Sequence, residues 1–82
     1  NHIFSYIELD EQHAIIEVAV PEDWQGRSIG ELDIRRRYGV NILGVKRENK
    51  TDVNISPETV LDADMTLLVL GENQKLKKHF RL

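Results

Sequence analysis

Alternating apolar residues over positions 13–20 constrain the fold of this chain more than any other feature of the sequence. The apolar residues on one side of this segment are Ala14, Ile16, Val18 and Val20. A period of two is typical of a half-buried β-strand, and Pro21 ends it because proline has no amide proton for a ladder. A similar segment at 3–9 and the polar break at 10–12 predict either a hairpin or one long bent strand.

Three more strands and two helices are predicted further along the chain. The predicted strands span 41–47, 51–55 and 66–70, the helices span 28–38 and 73–82, and 57–65 is a loop. The strand at 66–70 is apolar after its first residue, which indicates a central position, and Gly71 ends it. Ser28 and Glu31 form a capping box, and Gly39 suits the left-handed end of that helix. The order predicts an α+β domain, a small mixed or antiparallel sheet with two helices.

Size and charge limit the possible functions. The 82 residues allow one domain, 1–82, whose core is thin because a chain this short hides only about 60–65% of its unfolded surface. With no cysteine to add disulfides, self-association is expected. A net charge of −3 argues against binding a nucleic acid polymer. The chain starts at Asn1 without an initiator methionine, so we expect a fragment of a longer protein.

Motifs for catalysis are lacking in the sequence. It has no phosphate-loop or G-x-G-x-x-G pattern and no cysteine, and its three histidines lack metal-ligand spacing. The closest carboxylate pairs are Glu22 with Asp23 and Asp62 with Asp64, both in predicted loops. A calcium site at either pair is a weak alternative, because no glycine-pivoted ligand loop is present. We therefore expect a protein that is not an enzyme.

The segment 28–47 carries the functional information. On a continuous helix, Ile29 and Leu32 share one side, whereas Ile34 and Tyr38 lie nearly opposite. A surface helix needs only one apolar stripe to cover its own sheet. The second stripe therefore has to be covered by a neighbouring chain or a ligand, unless it packs beneath a loop of the same chain.

Two polar residues near the second apolar stripe, Arg35 and Asn41, are candidates for binding a ligand. Arg35 projects between the two sides, whereas Arg36 and Arg37 point elsewhere, so at most one arginine serves one pocket. Arg35 is either a solvated residue at a helix end or a ligand contact. Asn41, just past the helix cap, either supports the turn or presents its amide to a base or ribose.

These motifs resemble the C-terminal domain of the family that regulates potassium conductance, called the TrkA-C or RCK-C domain. The resemblance covers residues 13–80, with Ala63 as a departure where the family often has glycine. The matching motifs are Gly26, Ile29-Gly30, Leu32, Tyr38-Gly39-Val40, Ile42 to Arg47, Pro57, Asp64 and Leu67 to Gly71.

The resemblance, which is strongest to KtrA-like regulatory subunits of bacterial potassium uptake, implies a ligand and partners. It implies a twofold homodimer within a cytoplasmic gating ring, peripheral to the membrane through a potassium-transporter subunit. It implies cyclic di-AMP as a ligand between the two copies, with Arg35 on a phosphate and Asn41 on the nucleotide. The residues implied as apolar contacts of the adenine rings are Ile29, Leu32, Ile42 and Pro57. Asp33, nearby on the helix, is a further candidate for a ligand contact.

The sequence leaves two alternative functions open. The domain is a dimerisation module of the gating ring with no ligand of its own, or it binds a divalent cation at Asp62 or Asp64. RNA binding through Arg35–Arg37 with Lys46 and Arg47 is the least favoured, because of the net charge.

Overall fold

The computed structural model describes residues 3–81, and the predicted strands and helices occur in the predicted order, with two added short strands, one helix divided in two and several shifted boundaries. The strands are β1 (Ile3–Glu8), β2 (His13–Ala19), β3 (Arg27–Ser28), β4 (Asn41–Arg47), β5 (Lys50–Asp52), β6 (Val60–Leu61) and β7 (Thr66–Glu72). The helices are α1 (Ile29–Leu32), α2 (Ile34–Tyr38) and α3 (Asn73–Phe80), and a 3-10 turn covers Glu22–Trp24. None of the helices within residues 3–81 is long and apolar enough to cross a membrane.

Five strands form one antiparallel sheet in the order β1-β2-β7-β4-β5, and β3 pairs with β6 in a separate two-stranded ribbon. β1 and β2 form a hairpin, which decides between the two predicted arrangements of this segment. β7 lies in the centre of the sheet, as its continuous apolar sequence predicted. The predicted α+β fold class is confirmed, and every strand pair is antiparallel.

The hydrophobic core lies between the sheet and the helices. The predicted inward side of β2 is confirmed, since Ala14, Ile16, Val18 and the following Val20 are all buried. Leu76 and Phe80, four residues apart on α3, pack into the same core, and so does Trp24 from the 3-10 turn. The helices therefore cover only one face of the sheet.

The predicted continuous helix at 28–38 is wrong, because the chain breaks at Asp33. This residue has φ of 49° and ends α1, after which α2 begins in a new direction. Leu32 and Ile34, on either side of the break, are both buried in the one core. The helical-wheel argument for a second apolar side therefore fails, since it depended on an unbroken helix.

Tertiary contacts also change three of the predicted strands. β5 ends at Asp52 instead of residue 55, and β7 continues through Gly71 to Glu72. Gly71, the predicted end of this strand, is part of it. A side-chain carbon at this position would lie 2.9 Å from Val40 Cγ1, so only glycine lets Val40 pack this close to the strand. Strict alternation along 41–47 would predict Leu43 and Val45 on the same buried side of the strand, but a register shift lies between Ile42 and Gly44, and Leu43 is exposed while Val45 is buried.

The predicted loop at 57–65 contains a strand. β6 pairs with β3, which joins the entry of α1 to a segment more than thirty residues later in the chain. No local signal marks a two-residue strand, because pairing with β3 defines it. The last helix ends at Phe80, and Leu82, its predicted end, lies outside the described residues.

Candidate functional site

A cavity of about 250 Å³ opens between α1, α2, the start of β4 and the segment 55–57. Its lining residues are Ile29, Ile34, Arg35, Val40, Asn41, Ile42, Ile55, Ser56 and Pro57. Five residues predicted from the sequence as a ligand site are among them, namely Arg35, Asn41, Ile29, Ile42 and Pro57. The fold thus brings together residues that are up to 28 positions apart in the sequence.

The wall formed by α1 and the segment 55–57 is held by backbone hydrogen bonds. The Ile29 N–H donates to Thr59 O at 2.9 Å, and the Gly30 N–H donates to Pro57 O at 2.8 Å. Ser28 Oγ accepts the Glu31 N–H at 3.1 Å, which is one of the two bonds of the predicted capping box, whereas the Glu31 carboxylate accepts from Arg27 Nε at 3.1 Å. These bonds satisfy donors that a helix start otherwise leaves unpaired, and they fix Pro57 against Gly30.

The opposite wall is built by α2 and β4. Gly39 has φ of 71° and ends α2 in the left-handed conformation, as predicted, which turns the chain into β4. Asn41 and Ile42 then pair with Leu70 and Val69 of the central strand β7. The cavity wall at Asn41 and Ile42 therefore belongs to the rigid sheet.

Arg35 is the one charged residue of the lining, and its guanidinium has no carboxylate within ion-pair distance in residues 3–81. Its neighbours are engaged elsewhere. Arg36 Nε donates to Asp33 Oδ2, and Arg37 Cζ lies 5.5 Å from the centre of the Tyr38 ring. The cavity therefore combines apolar walls with one available positive charge, the amide of Asn41 and the hydroxyl of Ser56. Such a site suits an anionic ligand with apolar faces.

Leu32 and Asp33 are the two predicted site residues that the structure does not bring to the cavity. Leu32 has no exposed surface and packs in the core. Asp33 forms the break between α1 and α2, and its carboxylate pairs with Arg36.

Four lining residues were not among the predicted site residues. Ile34, which the sequence placed on the second apolar stripe, and Val40, part of the matching family motif, are both buried in the core. Ile55 and Ser56 precede Pro57 in a segment that reaches the site through the backbone hydrogen bonds of Ile29 and Gly30. Their position beside Pro57 was the single available signal.

Asp62 and Asp64, the two aspartates considered for a divalent cation, form ion pairs with one arginine. Arg47 Nη2 donates to Asp62 Oδ2 at 2.9 Å, and Arg47 Nε lies 3.1 Å from Asp64 Oδ2. No group of three or more histidine, aspartate or glutamate residues within the described part of the chain could hold a metal ion. A cation at this pair would therefore have to displace the guanidinium.

His79 is a partly buried titratable residue of α3. Its ring packs edge-on against Tyr38, with ring centres 4.9 Å apart. Burial lowers the pKa of His79, and the nearby charges of Lys78 and Lys75 lower it further. His79 does not line the cavity. Its protonation therefore acts on the packing of α3 against α2 and not on the cavity.

Sequence comparison connects this site to a known family. The sequence model of the TrkA-C domain matches residues 14–82. Ktr system potassium uptake protein C of Bacillus subtilis (strain 168) is 32% identical over 71 residues, which cover 87% of this chain and 32% of that protein. The chain spans about a third of the length of the curated relatives it matches.

Among the solved structures that share the fold are two domains bound to a cyclic dinucleotide. The KtrA RCK C domain, in complex with cyclic diadenosine monophosphate (cyclic di-AMP), matches with a TM-score of 0.76 and 32% identity, over 84% of this chain and 81% of that chain. The RCK_C domain dimer of S. agalactiae BusR, also in complex with cyclic di-AMP, matches with a TM-score of 0.65 and 25% identity, over 85% and 96%. The resemblance predicted from the sequence motifs is confirmed.

Proposed function

Since this chain belongs to the TrkA-C domain family, we propose that it is the regulatory ligand-binding domain of a potassium-transporter gating subunit. In this proposal it binds cyclic di-AMP between two copies and has no enzymatic activity. It acts in the cytoplasm, beside the membrane subunit of the transporter. The observation that carries the proposal is the unpaired Arg35 at an otherwise uncharged cavity.

The size of the cavity supports a ligand shared between two copies. Sites for drug-sized ligands usually occupy roughly 300–1,000 Å³, and the cavity of one copy has about 250 Å³. One copy is therefore too small to enclose a dinucleotide but large enough for one half of it. Two cavities related by a twofold axis match a ligand that is itself twofold symmetric.

The charges support the same arrangement. Cyclic di-AMP carries two phosphates, and a twofold pair of chains presents Arg35 twice, so each phosphate meets one guanidinium. The apolar side chains of Ile29, Ile42 and Pro57 offer surfaces for the faces of the adenine rings. Asn41 supplies an amide that donates and accepts hydrogen bonds, which suits a base edge or a ribose.

Regulation follows from where the ligand binds. A ligand held between two copies stabilises the arrangement in which both cavities face each other, by an amount set by its affinity and concentration. The relatives named for potassium uptake and the neighbours solved with the nucleotide support this reading. A change in the spacing of two copies is a signal that a transporter subunit attached to them can receive.

Calorimetric titration tests the proposal. Cyclic di-AMP is added to the chain, and AMP serves as the matched control because it offers one adenine and no second half. We expect saturable binding at about one cyclic di-AMP per two chains, with AMP much weaker. Absence of saturable heat, with the chain still dimeric, would favour the alternative of a dimerisation module without a ligand.

A further inference from the structure

Positive charge in this chain is concentrated on two helices. The segments 34–38 and 73–81 contain seven of the 11 lysines and arginines and none of the 14 acidic residues. The formal charge of these two segments is therefore +7, which leaves −3 − 7 = −10 for the rest of the chain. The net charge of −3 thus hides a strong separation of charge between the helices and the remainder of the domain.

The helices α2 and α3 lie side by side, which brings their charges onto one surface. The ring of Tyr38, the last residue of α2, packs against the ring of His79 on α3. Lys75 lies beside the end of α2, since a side-chain carbon on Gly39 would be 3.5 Å from Lys75 Cδ. Arg37 lies over the Tyr38 ring at the same junction. Both helices therefore contribute cations to one continuous area.

The exposed side of α3 is cationic apart from Gln74. Leu76 and Phe80 of this helix pack into the core, so the residues between them project away from the sheet. The exposed cations of this area, called the basic surface below, are Arg37, Lys75, Lys77, Lys78 and Arg81. The basic surface is therefore the outer side of the helical layer.

The cations of the basic surface have no carboxylate within ion-pair distance in residues 3–81. Glu22 and Asp23, in the 3-10 turn, are exposed and form no ion pair in this part of the chain. The positive charges act together on His79, whose pKa is lowered by burial and further by Lys78 and Lys75. An anionic partner would relieve the repulsion between these cations.

We propose that the basic surface docks on the headgroups of an anionic lipid membrane. The surface is the convex outer side of a helix, whereas acidic or apolar peptides are usually bound in a groove or along a free strand edge. Three of its five cations are lysines, whose ammonium groups are point charges on flexible stems and require no fixed geometry of the partner. A plane of mobile anionic headgroups fits such a surface better than a rigid acidic protein does.

The association is electrostatic and stays at the level of the headgroups. Within residues 3–81, none of the large exposed apolar side chains belongs to α2 or α3, so these helices offer no side chain to the hydrocarbon. Electrostatic interactions in solution extend about 8 Å at physiological ionic strength, and the smallest dimension of the domain is 22 Å. Negative charge on the uncovered face of the sheet is therefore largely screened from a membrane that contacts the helices.

The basic surface is separate from the ligand cavity, since none of its five residues lines the cavity. Membrane docking goes beyond the proposed function and requires no nucleotide. A failure to bind cyclic di-AMP in calorimetry and a failure to bind vesicles are therefore distinguishable results.

Flotation of the chain with lipid vesicles, without nucleotide, tests the proposal. One set of vesicles contains equal parts of phosphatidylglycerol and phosphatidylcholine, and the neutral control contains phosphatidylcholine alone. We expect binding to the anionic vesicles only, although the chain itself has a net charge of −3, and we expect added salt to weaken it.

Charge reversal locates the contact. Each basic residue at an anionic membrane changes the affinity about fivefold, so Lys78→Glu, which alters the charge by two units, weakens vesicle binding roughly 25-fold. Lys50→Glu is the matched control, because Lys50 is equally exposed but lies on β5, outside the basic surface. This variant keeps its affinity within about twofold, since β5 is at the edge of the sheet and not on the helices. Circular dichroism verifies that both variants stay folded.

Three outcomes contradict the proposal. The first is no binding to the anionic vesicles at low salt, and the second is an equal loss of binding in Lys78→Glu and Lys50→Glu. The third is binding to soluble polyglutamate, weakened by Lys78→Glu, without binding to the vesicles. That result would assign the basic surface to an acidic protein instead of a membrane.

Discussion

Gly30 and Pro57 are in contact through the backbone, with the Gly30 N–H donating to Pro57 O at 2.8 Å. A side-chain carbon on Gly30 would lie 3.0 Å from both Pro57 Cβ and Pro57 O. The close approach therefore requires a residue without a side chain, and it sets the position of the segment 55–57 that forms one wall of the cavity.

Gly30→Ala is expected to weaken nucleotide binding several-fold, because the added methyl group pushes Pro57 away from α1 and so displaces one wall of the cavity. Unfolding stability falls by about 1 kcal/mol through the same overpacking. The measurements are calorimetric titration with cyclic di-AMP and chemical denaturation.

Gly26→Ala is the control for Gly30→Ala. Gly26 has φ of 79° and nothing within 4 Å of an added side-chain carbon, so the variant pays about 1 kcal/mol of backbone strain away from the cavity. Nucleotide affinity lost equally in both variants would contradict the role given to the Gly30–Pro57 contact.

Arg35→Ala is expected to reduce the affinity for cyclic di-AMP at least tenfold, since each charge-assisted contact contributes about 1.5–3 kcal/mol. Arg37→Ala, whose guanidinium lies over the Tyr38 ring outside the cavity, keeps nearly full affinity. Calorimetry of both variants checks this. Similar losses in the two variants would show that general positive charge, not the position of Arg35, determines binding.

Calcium is expected to leave the thermal midpoint of the chain unchanged. Arg47 already neutralises Asp62 and Asp64, and removing this exposed arginine lowers stability by no more than about 1 kcal/mol. In Arg47→Ala the two carboxylates are free, so this variant responds to calcium if either of them can bind it. Scanning calorimetry with calcium and with a chelator makes the comparison, and a calcium-dependent rise in the unmodified chain would restore the cation alternative.

The lowered pKa of His79 predicts that stability falls on acidification. Below the ordinary histidine pKa of 6.5 the unfolded chain takes up a proton that the folded chain resists, so unfolding becomes easier as pH falls through that value. His79→Phe keeps an aromatic contact with Tyr38 and removes the titration. The thermal midpoint, measured from about pH 8 to about pH 5, should therefore fall less in His79→Phe; identical slopes would exclude His79 as the cause.

The sequence predicted elements whose signals are local. Alternation in β2, the apolar run of β7 and the left-handed Gly39 all depend on residues close in the chain, and each was confirmed. The break at Asp33 was missed because aspartate gives no strong signal for a positive φ. In the structure the Asp33 N–H bonds to Ile29 O and Gly30 O, and both neighbours of Asp33 are buried.

The candidate site was only partly predictable for the same reason. Arg35, Asn41 and Ile42 belong to one continuous segment, whose motifs indicated a binding function. Ile55 and Ser56 join them through hydrogen bonds between α1 and a distant segment, which local patterns do not reveal. The family resemblance implied Leu32 as a ligand contact, and the structure instead buries it in the core, directly before the break at Asp33.

A crystal structure of the chain with cyclic di-AMP tests the central claim most directly. We expect one nucleotide between two copies, with each phosphate within hydrogen-bond distance of one Arg35 guanidinium and each adenine against Ile42 and Pro57. A nucleotide bound away from this cavity, or one bound by a single copy without Arg35, would contradict it.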